Sequence, residues 1–180
     1  MTKTVLMLIC LFIAASETTV LFASELSVSD EGLGAISTDT RFDQKEIQGL
    51  LHGYVVKSEK ESPLEDAYTV FVIMDHKSRL ATIQSTLDAK KILCIRVTSN
   101  KVNNALGPRV GMEYGSIYED VIHDSCIPGT DALSGQVICH APNSKFISYV
   151  FKGQYAGPNG AVPDIVNLKT FVLNEIVWLP

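Results

Sequence analysis

From Tyr54 onward the chain alternates apolar and polar positions with the period of a β-strand. YTVFVIMD, RLATIQST and KILCIRVTS are three consecutive runs rich in β-branched and aromatic residues, separated by the short turns DHKS and LDAKK. Short connections leave successive strands antiparallel, so the segment predicts a meander. YVVKSEKE reads as a strand leading out through a charged turn into the loop SPLED. In the third run Leu93, Ile95 and Val97 share one face and Cys94, Arg96 and Thr98 the other; the first set is the expected core face. Further strands fit GQVICH, KFISYVFKG and TFVLNEIVWL. In KFISYVF, Phe146, Ser148 and Val150 alternate with Ile147, Tyr149 and Phe151, which predicts cover on both faces.

Helical spacing is confined to short stretches. Asp43 opens DQKE, a capping-box pattern, and Ile47, Leu50 and Leu51 follow on one face, with Gly53 placed to end the helix. EYGSIYEDVI predicts a second helix with a stripe of Tyr114, Ile117, Tyr118 and Val121, prepared by Pro108 and Gly111 in the preceding loop. A single helical turn is expected at DIVNLK. The stretch SVSDEGLGAIS, residues 27–37, reads as a loop entering a short strand. Groups of strands with few helices predict an α+β domain: an antiparallel β-sheet with a few short helices packed on one face. The 180 residues show no internal repeat and no interdomain linker, consistent with one domain.

The first residues stand apart from this pattern. Lys3 precedes Val5 to Ala15, VLMLICLFIAA, an apolar run without charge. Its length suits the core of a secretory signal and falls short of the ~20 residues that span a bilayer. Ala14 and Ser16 stand at the −3 and −1 positions for cleavage after Ser16; a second candidate follows Ala23, with Leu21 at −3. Residues 1–23 are therefore expected to be a signal peptide and residues 24–180 the exported domain, periplasmic or secreted, with no membrane span in its mature form. The competing reading is a buried N-terminal strand or helix.

Charge narrows the partners. The net charge of −5 excludes nucleic acid as the expected partner, since phosphate binding needs clustered Lys and Arg, and gives no attraction to anionic lipid surfaces. Loss of residues 1–23 removes Lys3 and Glu17 and leaves that charge unchanged.

Export changes how the cysteines read. Cys10 lies in the signal, leaving Cys94, Cys126 and Cys139. An oxidising compartment favours a disulfide, and Cys126 and Cys139 flank a Pro/Gly/Ser-rich stretch that can bring its ends together. Cys94 is then a buried free thiol acting as a small hydrophobe. A sharper alternative uses His123, Cys126, Cys139 and His140 as a tetrahedral zinc site, but adjacent Cys and His on a strand point to opposite faces. No metal and no cofactor are expected. His52 and His76 read as solvated. The pairs Glu65-Asp66 and Glu119-Asp120 are adjacent rather than facing, and nucleophile elbow, Walker loop, dinucleotide fingerprint and HExxH are all absent. No catalytic residue is assigned. A hydrolase whose carboxylates converge only in three dimensions stays open as an alternative.

One loop suggests a contact surface. In QYAGPNGAVP, Tyr155 is followed by rigid backbone punctuation at Pro158 and Pro163. A stiff loop loses little entropy on docking, and tyrosine suits interfaces. Tyr155, Pro158 and Asn159 are therefore candidate partner contacts, the competing reading being Tyr155 folded back as a core plug.

Several stretches together resemble the sigma-E-regulated lipoproteins of Gram-negative envelopes, a group defined as a domain of unknown function. They are SDEGLGAI with Thr40, ATIQSTLDAKKILCIRVTSNKV leading into GPRVGMEYGSIYE, the pair Cys126 and Cys139, and above all ISYVFKGQYAGPNGAVP continuing to LKTFVLNEIVW. The resemblance runs from about Val28 to Trp178. It implies a Gram-negative envelope location, a link to envelope stress and an α+β domain without an established activity. One departure matters: a lipoprotein needs Cys directly after a small residue at the end of its apolar run, whereas Cys10 lies inside the run and follows Ile9. A lipid anchor is not expected. The resulting expectation is a non-enzymatic periplasmic module that binds an envelope protein or another envelope component.

Overall fold

A computed structural model of the chain describes residues 25–62, 67–119, 125–158 and 160–180. The expected signal peptide, His123, Asn159 and the pair Glu65-Asp66 lie outside the described residues, as does Asp120. In chain order come β1 (Ser27–Ser29), β2 (Gly32–Leu33), α1 (Gln44–Leu50), β3 (Val55–Glu61), β4 (Tyr68–Asp75), β5 (Ser78–Ser85), β6 (Ile92–Val97) and β7 (Asn103–Asn104). There follow α2 (Tyr114–Tyr118), β8 (Cys126–Pro128), a 3-10 turn at Asp131–Leu133, β9 (Gln136–His140), β10 (Ile147–Lys152), α3 (Ile165–Leu168) and β11 (Val172–Trp178).

Eight of these strands form one antiparallel sheet in the order β3-β4-β5-β6-β11-β10-β9-β8. It consists of two meanders joined where β11 lies beside β6, with Ile176 opposite Val97 and Trp178 opposite Ile95. The expected first meander is present with its strands within a residue or two of the predicted ends. A second, three-stranded sheet, β2-β1-β7, includes a parallel pair between β1 and β7. The helices have seven, five and four residues. The domain is thus mostly antiparallel β-sheet, with less helix than the α+β expectation implies.

One face of the large sheet carries the core. Registers place Val56 opposite Ile73, Ile73 opposite Ala81, Ile83 opposite Ile95, and Tyr149 opposite both Ile176 and Cys139. All of these are buried in a single cluster with Val28 and Leu33 of the small sheet, Ile47 of α1, Tyr114 and Tyr118 of α2 and Leu168 of α3. Apolar area removed from water is the main term holding such elements together, so the small sheet and the helices all close this face. Rings dominate its centre, where Tyr114 lies 4.8 Å from Tyr118 and 5.1 Å from Phe151. Asn104 is buried beside them and donates to the Tyr149 hydroxyl at 2.9 Å and to the Pro108 carbonyl at 2.9 Å, which satisfies both amide hydrogens.

The helix termini follow local chemistry. Asp43 caps α1 by accepting from the Glu46 amide at 2.9 Å. Glu46 does not reach back to Asp43 as a full capping box would; it accepts from the Arg41 amide at 3.1 Å and pairs with the Arg41 Nε at 2.7 Å. α2 ends sooner than its sequence pattern suggests, because Glu119 adopts a left-handed φ of 57°. Asp164 caps α3, accepting from the Asn167 amide at 3.0 Å.

The termini of the domain are stitched by Asp30. Its carboxylate, in the turn between β1 and β2, accepts from the Ser144 hydroxyl and from the amides of Lys145 and Phe146 at 3.0 and 3.2 Å. Its carbonyl accepts from Trp178 Nε1 at 3.0 Å. The Ser144 hydroxyl, then the two amides, hold the Asp30 carboxyl below the usual carboxylate range.

A polar sheet face as candidate functional site

Alternation along the strands dictates what the second face of the large sheet carries. The rows run Lys57, Val72, Thr82, Arg96, Val177 and Ser148, then Glu59, Val70, Gln84 and Cys94, with Glu61 beside Tyr68 and Val150 beside Glu175. Valines thus make the floor and long polar side chains stand over it. Val70, Val72 and Val150 are buried although they lie outside the main core. The neighbouring stems of Arg, Gln and Glu account for this, since such side chains cover apolar surface while their heads stay polar.

The heads are arranged as a network. Arg96 pairs with Glu61 at 3.2 Å, and Arg79 pairs with Glu59 and, at 3.6 Å, with Glu61. Gln84 donates to the Tyr68 hydroxyl at 2.9 Å, and that hydroxyl reaches Glu61 at 3.4 Å. Burial, followed by the charge of Glu61, raises the Tyr68 phenol above its ordinary value. Cys94 is the free thiol and is buried, as expected, but it lies on this polar face rather than in the main core. Its sulfur donates to Gln84 Oε1 at 3.1 Å, and burial pushes the thiol up to about 11. At neutral pH it is protonated and therefore a poor nucleophile. Leu93, expected in the core beside Ile95, is instead 45% exposed near the start of β6.

Three polar atoms on this face are buried without a hydrogen-bond partner among the described residues: Arg96 Nε, Gln136 Oε1 and Glu175 Oε2. Glu175 has no salt-bridge partner there, although Arg79 and Arg96 are both engaged. Glu61, Tyr68, Arg96, Gln136, Glu175 and Val177 line a shared groove of about 590 Å³, with Val150 on its floor. Buried polar atoms are normally paired, so three without a partner among the described residues on one groove make it the candidate site.

Gln136 also lines a smaller depression of about 310 Å³ formed with Tyr155 and Pro158 of the predicted contact loop. Tyr155 is 36% exposed and is not a core plug. Its ring lies against Gly157, where an added Cβ would stand 2.1 Å from the ring carbon Cζ. The residue packed under the loop is Phe171, 1% exposed and so close to Gly153 that an added Cβ there would meet its ring at 2.2 Å. The loop and the groove are therefore neighbours, a relation the sequence does not display because it arises from the pairing of β10 with β9 and β11.

Cys126 and Cys139 stand directly opposite each other on β8 and β9 and are joined, with an S–S distance of 2.06 Å. Neither sulfur is then available as a thiolate ligand, which removes the four-residue zinc alternative. His140 Nε2 sits 2.8 Å from the Ser144 carbonyl, and among the described residues no group of three or more His, Cys, Asp and Glu is gathered to hold a metal. No helix among the described residues is long and apolar enough to cross a membrane.

The fold and sequence have known counterparts. The chain is 25% identical over 158 residues to the uncharacterized protein YfeY of Escherichia coli (strain K12), covering 87% of this chain and 81% of that protein. The crystal structure of yfeY superimposes with a TM-score of 0.71 at 24% identity, over 86% of this chain and 99% of that one. A family model described as a protein of unknown function, DUF1131, matches residues 13–180, and the chain belongs to that family.

Proposed function

We propose that the protein is an exported, non-enzymatic binding module of the Gram-negative periplasm that holds an envelope component on the polar face of its eight-stranded sheet. The single observation that carries this reading is the groove in which Arg96 Nε, Gln136 Oε1 and Glu175 Oε2 are buried without a partner among the described residues. A buried donor or acceptor left unpaired costs roughly 1–3 kcal/mol, a cost that a bound ligand relieves. The chemistry of the face favours binding over catalysis: Glu59 and Glu61 are neutralised by arginine, and Cys94 is protonated. Export rests on the apolar run Val5 to Ala15, and a link to envelope stress belongs to the same proposal. Tyr155 and Pro158, bordering Gln136, extend the contact surface to the loop.

The test is osmotic-shock fractionation followed by crosslinking in intact cells. The protein is expected in the shock fluid, shortened by 16 or 23 residues if cleavage follows Ser16 or Ala23. A crosslinked species should weaken in Tyr155→Ala while the melting temperature moves by no more than a degree or two, because the ring is over a third exposed. Full-length protein retained in the cytoplasm would reject the location. A Tyr155→Ala variant that captures its partner as well as the parent would reject the loop as a contact.

A further inference from the structure

We infer that the groove across the polar sheet face binds a neutral oligosaccharide. The inference rests on the binding-module reading and gives its ligand a chemistry. The unpaired atoms are of both kinds: Arg96 Nε donates, while Gln136 Oε1 and Glu175 Oε2 accept. A hydroxyl group both donates and accepts, so adjacent hydroxyls on a pyranose ring can satisfy a guanidinium, a carboxylate and an amide together. A simple cation would answer Glu175 and leave Arg96 Nε unmet, and a simple anion would do the reverse and face Glu175. The two arginines are already balanced by Glu59 and Glu61, which leaves the face without excess positive charge for a phosphate.

The apolar parts of the groove fit the same ligand. Tyr68 is 36% exposed and presents a ring at one end, where Glu61 and Gln84 fix its hydroxyl. Val150 and Val177 give an aliphatic floor for the C–H faces of a sugar. Extended peptides pair with strand edges through their backbone, whereas this groove crosses the face of the sheet, with Arg96, Val150, Glu175 and Val177 coming from the inner strands β6, β10 and β11. Arg96, Gln136 and Glu175 are long side chains whose rotamers can open to admit the ligand without backbone movement.

Isothermal titration of the disulfide-bonded protein with maltohexaose, cellohexaose and hexa-N-acetylchitohexaose tests this. At least one should bind saturably. Glu175→Gln and Gln136→Ala should each weaken that binding about tenfold or more, the loss expected for a hydrogen bond to a charged or buried group. Both variants should melt at or above the parent's temperature, because Gln136 Oε1 and Glu175 Oε2 have no hydrogen-bond partner among the described residues; a purely structural role would instead lower the melting temperature and leave affinity intact. Failure of all three sugars to bind, or binding that survives both substitutions, overturns the inference. If a protein partner is nonetheless captured in cells, the saccharide assignment falls while the binding module stands.

Discussion

Asp30 shows how much one short side chain can organise. Its neighbours along the chain say only that it lies in a turn, yet its carboxylate gathers the Ser144 hydroxyl and two amides from the segment that opens β10. Folding depresses its pKa, so its contribution to stability is complete above the ordinary carboxylate value of 3.8 and is lost as pH falls from there through the depressed native value. Asp30→Asn keeps the shape and removes the charge. The variant should lose about 1 kcal/mol at neutral pH, since the site is partly open to water. Its melting temperature should also fall less steeply than the parent's below about pH 4, a comparison read from thermal melts across the acid range. Other residues were less legible. The alternation in KILCIRVTS placed Cys94 and Arg96 together on one face correctly, but gave no hint that Glu175 and Gln136, from distant strands, would join them. Neither residue stands in a motif: Gln136 precedes a buried valine on β9, while on β11 the polar pair Asn174-Glu175 interrupts the alternation where the register with β10 shifts.

At the scale of elements, the central position of β11 is the feature with the largest consequence. The strand was legible as TFVLNEIVWL because it is long, apolar and β-branched, whereas its place between β6 and β10 is a long-range pairing that no local pattern encodes. β1, β2, β7 and β8 are two or three residues long, too short to show a period of two, and only their surroundings hold them in strands. Because β11 joins the two meanders, removing Glu175 to Pro180 takes Ile176 and Trp178 out of the core and leaves β6 and β10 without their shared neighbour. Truncation after Asn174 should abolish cooperative unfolding, as followed by circular dichroism. A truncated protein that melts cooperatively at the parent's temperature would show that the meanders hold together by other contacts. The helices matter less to the frame: α1 and α3 are well capped but contribute Ile47 and Leu168 as single anchors.

For the molecule as a whole, the asymmetry of the large sheet is what connects fold to function. One face is sealed by the small sheet and the helices; the other holds a paired charge network and a groove with three buried polar atoms that have no partner among the described residues. Composition and the N-terminal apolar run suggested an exported domain without a recognisable catalytic motif, and the arrangement of the polar face is what the proposed binding role rests on. The direct measurement is site-specific photocrosslinking in intact cells, with a photoreactive amino acid placed either at Tyr68 on the polar face or at Val166, which is 68% exposed on α3 at the opposite side of the core. Covalent adducts, read as mass shifts of the purified protein, are expected from position 68 and not from position 166. Adducts arising equally from both positions, or from position 166 alone, would contradict the assignment of the polar sheet face as the binding surface.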